Sequence, residues 1–198
     1  MGFLDRSRHL YRYDWEFPNG RDRISPELDQ MKTTIPIRML RASDAESFQA
    51  FRLFGLRTVP EAFGSSHEEE VDRSIEEVRQ RLEARPNAVF GAFVEGKLVG
   101  VAGFAVSTAL KERHKGSLWG VFVDPEWRGH DLGKRLTQTV IDYARLHVDT
   151  LKAIVAAANV SARTLYLGLG FTVYGFEKDS LRVNGQSYDD ELLRLDLR

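Results

Sequence analysis

A basic loop with two glycines lies between an apolar run and an amphipathic run of this chain. The loop consists of Arg128, Gly129, His130, Asp131, Leu132 and Gly133. Leu132 and Leu136 begin the apolar side of a predicted helix, whose first backbone N–H groups have no partner within the helix. These N–H groups and the positive end of the helix dipole suit a phosphate or a pyrophosphate. An ordinary turn between a strand and a helix has the same pattern, so both interpretations stay open at this point.

The composition limits the protein to a few classes. The chain has 198 residues, of which 42% are hydrophobic, and this is enough for one well-filled core. The formal net charge of -1 provides no overall positive field, which argues against nucleic acid as the main partner. No apolar run reaches the roughly 18 residues that a membrane span needs, so no membrane partner is predicted.

The chain contains no cysteine. A disulfide, a thiol nucleophile and a cysteine metal site are therefore excluded, and a cytoplasmic location is predicted because that compartment is reducing. The five histidines show no spacing typical of a metal site, so no metal is expected.

Residues 1–34 are predicted to form an N-terminal extension, and residues 35–198 a single domain. In the extension, Tyr11, Tyr13, Trp15 and Phe17 alternate with other residues, which predicts a strand with one aromatic face. Such a strand would add to a sheet edge or pair with a second copy of the chain in a homodimer. A mobile tail, or translation from a start upstream of Met31, explains the same residues.

The hydrophobic periods predict alternating groups of strands and helices. Predicted strands cover residues 35–40, 88–94, 98–106, 116–123, 151–158, 171–177 and 192–197. A first helix is predicted after a capping box formed by Ser43 and Glu46, and a second over residues 66–84, whose acidic start we interpret as solvated. Two further helices are predicted over 132–147 and 162–169.

Two separated groups of residues carry a resemblance to a known family. The first is the loop from Arg128 to Gly133, and the second is the series Asn159, Ala162, Tyr166, Gly170 and Phe171. Both are similar to the GNAT superfamily of acyl-CoA-dependent N-acetyltransferases, whose pyrophosphate loop reads Arg or Gln, two residues, Gly, one residue, then Gly or Ala. Asp131 stands where the family usually has the first of these glycines. The segment PEAFGSS and the segment from 174 to 193 also resemble a branch that acts on small molecules.

The resemblance covers residues 35–198 and implies an α/β fold with a mixed, mostly antiparallel central sheet flanked by helices. It implies acetyl-CoA as cosubstrate, with its diphosphate on the loop and on Lys134. The strand ending in Val121, Phe122 and Val123 would pair with the pantetheine arm, and the backbone of Val121 or Phe122 would steady the oxyanion. Asn159 would bind the pantetheine, and Tyr166 would protonate the departing thiolate.

The acceptor side of the site is less determined. A catalytic Glu is frequent in the superfamily where this chain has Trp119, so the base must lie elsewhere or act through water. The candidates are Glu61, His114, Tyr188 and Asp190. Phe63 and Trp119 are expected to shape the substrate pocket.

We therefore expect direct transfer of acetyl from acetyl-CoA to a primary amine of a small molecule or a peptide, since no cysteine exists to carry the acyl group. A non-catalytic acyl-CoA-binding sensor on the same fold is the alternative, motivated by Asp131 and Trp119. A nucleotide-binding protein of Rossmann or P-loop type is excluded because neither GxGxxG nor GxxxxGK[ST] occurs.

Overall fold

A computed structural model describes residues 35–198 of the chain. The predicted aromatic strand at residues 11–17 lies outside the described residues. Seven strands form one sheet in the described part. They are β1 (Ile37–Met39), β2 (Ala88–Val94), β3 (Lys97–Val106), β4 (Lys115–Val123), β5 (Thr150–Ala156), β6 (Thr172–Val183) and β7 (Gln186–Asp196).

The sheet is mixed and mostly antiparallel, as the resemblance to the GNAT superfamily implies. Its strand order is β1-β2-β3-β4-β5-β7-β6. Only the neighbours β4 and β5 run parallel; the other neighbouring strands are antiparallel.

Helices cover both faces of the sheet. They are α1 (Ala45–Thr58), α2 (His67–Val71), α3 (Ile75–Glu83), α4 (Leu132–Ala144) and α5 (Val160–Gly168). Adjacent strand residues point to opposite faces, so Val89 packs with the α1 and α3 side whereas Phe90 packs with the α4 side. The sheet thus has a hydrophobic core on each face.

The predicted helix over residues 66–84 is two helices. The apolar spacing is continuous, but Ser66 with Glu69 and Ser74 with Glu77 each form a complete capping box. The second box starts a new helix, because the Ser74 side chain accepts the backbone N–H of Glu77. Val71, expected on the buried side, is 44% exposed at the break.

The predicted capping box of the first helix does not form. Ser43 lies in a 3-10 turn, and Asp44 occupies the N-cap position without capping the helix through its side chain. The Asp44 carboxylate instead accepts the backbone N–H of Arg41 at 2.8 Å and pairs with the guanidinium of Arg38 at 2.7 Å.

The last two strands are longer than predicted and form one extended hairpin. Asn184 and Gly185 join them with φ angles of 50° and 79°. Positive φ at both central residues matches the right-handed twist of the strands in a two-residue hairpin.

Strands β4 and β5 separate after a short contact. Lys115 to Ser117 pair with Thr150 to Lys152, whereas β4 continues to Val123 and β5 to Ala156 without further pairing between them. A bulge in β4 at Gly120, with φ 62°, accompanies the divergence. The sheet therefore opens between its two middle strands.

Candidate active site

A cavity of about 620 Å³ occupies the gap between β4 and β5. Ser117 to Gly120 of β4 line one wall, and residues of β5 from Lys152 to Ala156 line the other. Phe63 and Trp119, the residues predicted to contact the substrate, both line this cavity. Their side chains come from the loop after α1 and from β4, so the cavity extends from the sheet to the helices above it.

The two helices that follow the diverging strands begin at the open end of the gap. The chain leaves β4 at Val123, turns at Pro125–Trp127 and enters α4 at Leu132. It leaves β5 at Ala156 and enters α5 at Val160. A Cβ on Gly133 in the first turn of α4 would lie 3.3 Å from Leu165 of α5, so the two helix starts are close neighbours.

The predicted anion loop has the geometry that an anion requires. The first hydrogen bond of α4 runs from the backbone N–H of Arg135 to the carbonyl oxygen of Asp131 at 2.9 Å. The backbone N–H groups of residues 132–134 therefore have no acceptor within the helix. Gly129 has φ 80°, a conformation natural only to glycine. Arg128 and Lys134 are exposed beside the loop. The loop therefore offers backbone donors and two cations in one place.

Asp131 adopts the left-handed conformation, with φ 57° and ψ 11°, at the N-cap of α4. Its carboxylate makes no capping hydrogen bond and is exposed. The glycine that the superfamily usually carries at this position reaches the same backbone conformation without strain. His130, next to it, has its Nδ1 3.1 Å from the carbonyl oxygen of Arg128.

The β4 ladder decides which backbone groups face the gap. The backbone N–H of Asp124 donates to the carbonyl oxygen of Val99 at 3.0 Å, which makes Val99 and Asp124 the hydrogen-bonded pair next to the pair Gly100–Val123. Because hydrogen-bonded and non-bonded pairs alternate, the backbone of Phe122 bonds to Val101 of β3 and that of Val121 faces away from β3. The Phe122 ring is buried against Phe51, with centroids 5.3 Å apart.

Tyr166 lies on α5, where it is 7% exposed and packs on Phe171 with centroids 5.7 Å apart. Its side chain does not line the cavity. Burial raises the pKa of its hydroxyl to about 12. Among residues 35–198 no hydrogen-bond partner of this hydroxyl is found.

The Asn159 side chain caps the same helix. Its Oδ1 accepts the backbone N–H of Ala162 at 3.0 Å, which leaves the side-chain NH₂ group as a donor.

The four candidate bases are not equivalent in the structure. Glu61 and Asp190 line the cavity, whereas His114 lies exposed before β4 and Tyr188 lies in the terminal hairpin. Asp190 is 4% exposed, and its carboxylate accepts the hydroxyl of Ser180 at 2.7 Å. The structure thus brings two of the four to the cavity that Trp119 also lines.

A buried ion cluster around Glu70, next to Trp119, is not predicted from the sequence. The acidic start of the second predicted helix was interpreted as solvated, but Glu70 is 3% exposed and lies near three guanidiniums. The closest N–O distances are 3.2 Å to Arg73 and 3.6 Å to both Arg52 and Arg81. The one available signal was Arg52, which lies four residues after Phe48 and hence on the buried side of α1.

No cluster of His, Asp or Glu within residues 35–198 is arranged to hold a metal ion. In the same part of the chain, no helix has both the length and the apolar character required to cross a membrane.

Comparisons with known proteins agree with one another. Residues 54–171 match the Acetyltransferase (GNAT) family. The N-alpha-acetyltransferase RimI of Mycobacterium tuberculosis is 31% identical over 106 residues, which make up 54% of this chain and 65% of that protein. The chain thus matches less than two thirds of the length of this relative.

Solved structures show the same fold. The ribosomal-protein-alanine N-acetyltransferase of Brucella melitensis is 25% identical, with a TM-score of 0.70 over 82% of this chain and 99% of the other. The yncA protein of Salmonella typhimurium, solved with its cofactor acetyl-CoA, is 22% identical, with a TM-score of 0.72 over 83% of this chain and 95% of the other.

Proposed function

The chain belongs to the GNAT acetyltransferase family, and we propose that it transfers an acetyl group from acetyl-CoA directly to a primary amine of a small molecule or a peptide. One observation carries the proposal: the gap between β4 and β5 opens into a cavity on one side and meets the start of α4 at its end. A molecule with a diphosphate at one end and a thioester at the other matches this arrangement.

The cofactor side of the proposal rests on backbone groups. The N–H groups of residues 132–134 and the positive end of the α4 dipole would hold the diphosphate, with Arg128 and Lys134 beside it. The NH₂ group of Asn159, free of the capping bond, would bind a pantetheine carbonyl. The unpaired edge of β4 from Leu118 onward would hydrogen-bond to the pantetheine amides as a neighbouring strand does.

In the proposed reaction, the amine nitrogen attacks the thioester carbon and the C–S bond breaks. The N–H of Val121 would stabilise the oxyanion, because the ladder alternation turns this group towards the gap. The buried carboxylate of Asp190 would accept the proton that the amine loses, directly or through water. Glu61 is the second carboxylate in the cavity and the alternative acceptor of that proton.

Tyr166 would supply a proton to the departing sulfur. Its raised pKa of about 12 keeps the phenol protonated at neutral pH. Transfer to a thiolate whose conjugate acid has an ordinary pKa of about 8.5 is uphill in the empty cleft. The phenol would therefore donate a hydrogen bond to the sulfur while the C–S bond breaks, and its proton would pass to the sulfur only where bound acetyl-CoA brings the two pKa values closer together.

A non-catalytic acyl-CoA sensor remains the second candidate, because Asp131 and Trp119 depart from the superfamily pattern. Release of free CoA thiol, measured with acetyl-CoA and a panel of primary amines, separates the two. Amine-dependent thiol release together with an acetylated amine in the mass spectrum is the expected result. Tight acetyl-CoA binding without release for any amine would favour the sensor.

A further inference from the structure

The guanidinium of Arg52 is buried and incompletely paired. The residue is 6% exposed, and neither its Nε nor its Nη1 has a hydrogen-bond partner within residues 35–198. Its Nη2 lies 3.6 Å from Oε1 of Glu70, which is longer than a charge-assisted hydrogen bond. A buried polar group without a hydrogen-bond partner destabilises the fold, and a charged one does so more strongly. The unpaired N–H groups of Arg52 can therefore donate hydrogen bonds to a ligand.

The surrounding charges do not neutralise this guanidinium. Glu70 is shared by Arg52, Arg73 and Arg81, so one carboxylate faces three cations. Burial lowers the pKa of Arg52, although a guanidinium remains charged in proteins. The cluster therefore carries a net positive charge, and two of its arginines, Arg52 and Arg81, line the cavity.

The guanidinium of Arg52 lies at the cavity wall beside Gly120. Its Nη1 lies 3.5 Å from the point where a Cβ on Gly120 would be, and both residues line the cavity. The guanidinium carbon lies 4.7 Å from the ring centroid of Phe63. Aromatic stacking of this kind fixes a guanidinium while leaving its edge available.

The cavity carboxylates do not serve as its partner. Glu61 and Asp190 both line the cavity, but within the described residues neither forms an ion pair with Arg52. Asp190 is engaged by the Ser180 hydroxyl. Arg81, which also lines the cavity, lies over the Trp119 ring at 4.5 Å and adds a second positive group to the same wall.

We propose that Arg52 binds a carboxylate of the acceptor, so that the preferred acceptor is a small molecule of the amino-acid class carrying both a carboxylate and the reacting amine. This inference rests on the proposed function. The carboxylate would bind the Arg52 guanidinium beside the β4 bulge at Gly120, with a small shift of the guanidinium to expose Nη1, and the amine would lie towards Asp190. A cavity of about 620 Å³ is large enough for such a molecule.

The test compares matched acceptors in the wild-type protein and in Arg52→Gln. L-methionine, L-phenylalanine and L-glutamate are each compared with their α-amides by the CoA thiol-release assay. Converting the carboxylate to an amide also changes the basicity of the amine. This change is the same for both proteins, so the readout is how the acid-to-amide ratio of kcat/KM differs between the wild type and the variant. Arg73→Gln is the matched control, since Arg73 pairs with the same Glu70 but does not line the cavity.

We expect the wild-type protein to prefer at least one acid over its amide by about tenfold or more, because a buried polar group left unpaired by the wrong substrate penalises it strongly. Arg52→Gln should lower kcat/KM for that acid by about 100-fold and for the amide by less than threefold. Arg73→Gln should preserve the ratio. A wild-type protein that prefers amides or peptide N-termini would overturn the inference while leaving acetyl transfer intact, as would an Arg52→Gln variant that affects acids and amides equally.

Binding supplies an independent readout. The shift in Tm that each free acid causes in the presence of CoA is measured for both proteins, and for Arg52→Lys if the Gln variant does not fold. Acids that raise Tm in the wild type alone, without any acetylation, would support the carboxylate site and contradict the proposed function. Acids that are neither bound nor acetylated would overturn the inference.

Discussion

Gly103 of β3 lies directly against the indole of Trp119 on β4. A Cβ at Gly103 would lie 2.2 Å from Cε2 of Trp119, a distance that forces the indole to move. Gly103→Ala should therefore displace an aromatic wall of the cavity. We expect kcat/KM for the acceptor to fall about 10- to 100-fold, as for other small misplacements, with acetyl-CoA affinity within threefold of wild type.

Gly168→Ala is the control for this substitution, because a Cβ there meets nothing within 4 Å. Steady-state kinetics with varied acceptor and calorimetric titration of acetyl-CoA measure the two effects. Equal losses in both variants would show that Trp119 does not shape the acceptor site.

Asp131→Gly should tighten acetyl-CoA binding. The substitution removes a carboxylate near the expected diphosphate. It also relieves the left-handed backbone at φ 57°, but this relief is the same in the free and the bound protein and therefore adds stability rather than affinity. We expect Kd to fall about fivefold, since the charge effect is on the order of 1 kcal/mol. Asp131→Asn removes the same charge and still tolerates this conformation, so it should tighten binding by a similar factor. Unchanged or weaker binding by the glycine variant would refute the idea that Asp131 is a handicap.

Tyr166→Phe should reduce turnover far more than it reduces acetyl-CoA binding. General-acid contributions are typically about 100-fold or more, so kcat should fall by at least that factor. Stability should change little, because within residues 35–198 the hydroxyl has no hydrogen bond to lose. Tyr143→Phe is the control, since its hydroxyl donates to the Pro86 carbonyl away from the cavity. Wild-type turnover in Tyr166→Phe would remove this residue from the mechanism.

Asp190→Asn tests the proposed base. The substitution keeps the size of the side chain, so a fall in kcat of about 100-fold or more is expected from loss of proton acceptance alone. Ser180→Ala controls for the lost hydrogen bond to Asp190. Glu61→Gln is measured alongside, and a larger effect there than in Asp190→Asn would transfer the role of base to Glu61.

Glu70→Gln should destabilise the fold, because it leaves three guanidiniums without their shared carboxylate. Removing one partner of a buried ion pair costs about 3–5 kcal/mol, and the partial exposure of Arg73 and Arg81 brings our expectation to about 2–4 kcal/mol. Glu76→Gln, which breaks an exposed pair with Arg79, should cost less than about 1 kcal/mol. Urea unfolding of both variants measures the difference, and equal midpoints would mean that the cluster adds no stability.

The sequence predicts the order of elements and the backbone geometry of the loop before α4, because both depend on patterns of neighbouring residues. Strand periods, turn residues and the glycines around Asp131 act within a few positions of each other. The hairpin at Asn184 and Gly185 was readable from the same kind of signal, but its exposed and charged strands hide the period of two. The capping box at Ser74 is also a local pattern, but the continuous apolar spacing over residues 66–84 favoured a single helix.

The acceptor side was predicted less completely because it depends on contacts between distant segments. Arg52 meets Glu70 only when α1 and α2 pack together, and the two residues lie on different helices, beyond the range of a local periodic pattern. The same holds for Asp190, which enters the cavity only because β7 lies next to β5. The aromatic residues Phe63 and Trp119 were expected in the pocket, whereas the charges behind them were not.

The short pairing of β4 with β5 has a thermodynamic consequence. In the described part of the chain, β1 to β4 and β5 to β7 are two half-sheets joined by backbone hydrogen bonds only where residues 114–117 meet residues 149–152. A ligand that bridges the two edges binds the folded chain and has no counterpart in the unfolded one. By linkage, a ligand at 100 times its Kd adds about 2.7 kcal/mol to the free energy of unfolding. The protein's resistance to unfolding would thus vary with the concentration of the acyl donor around it.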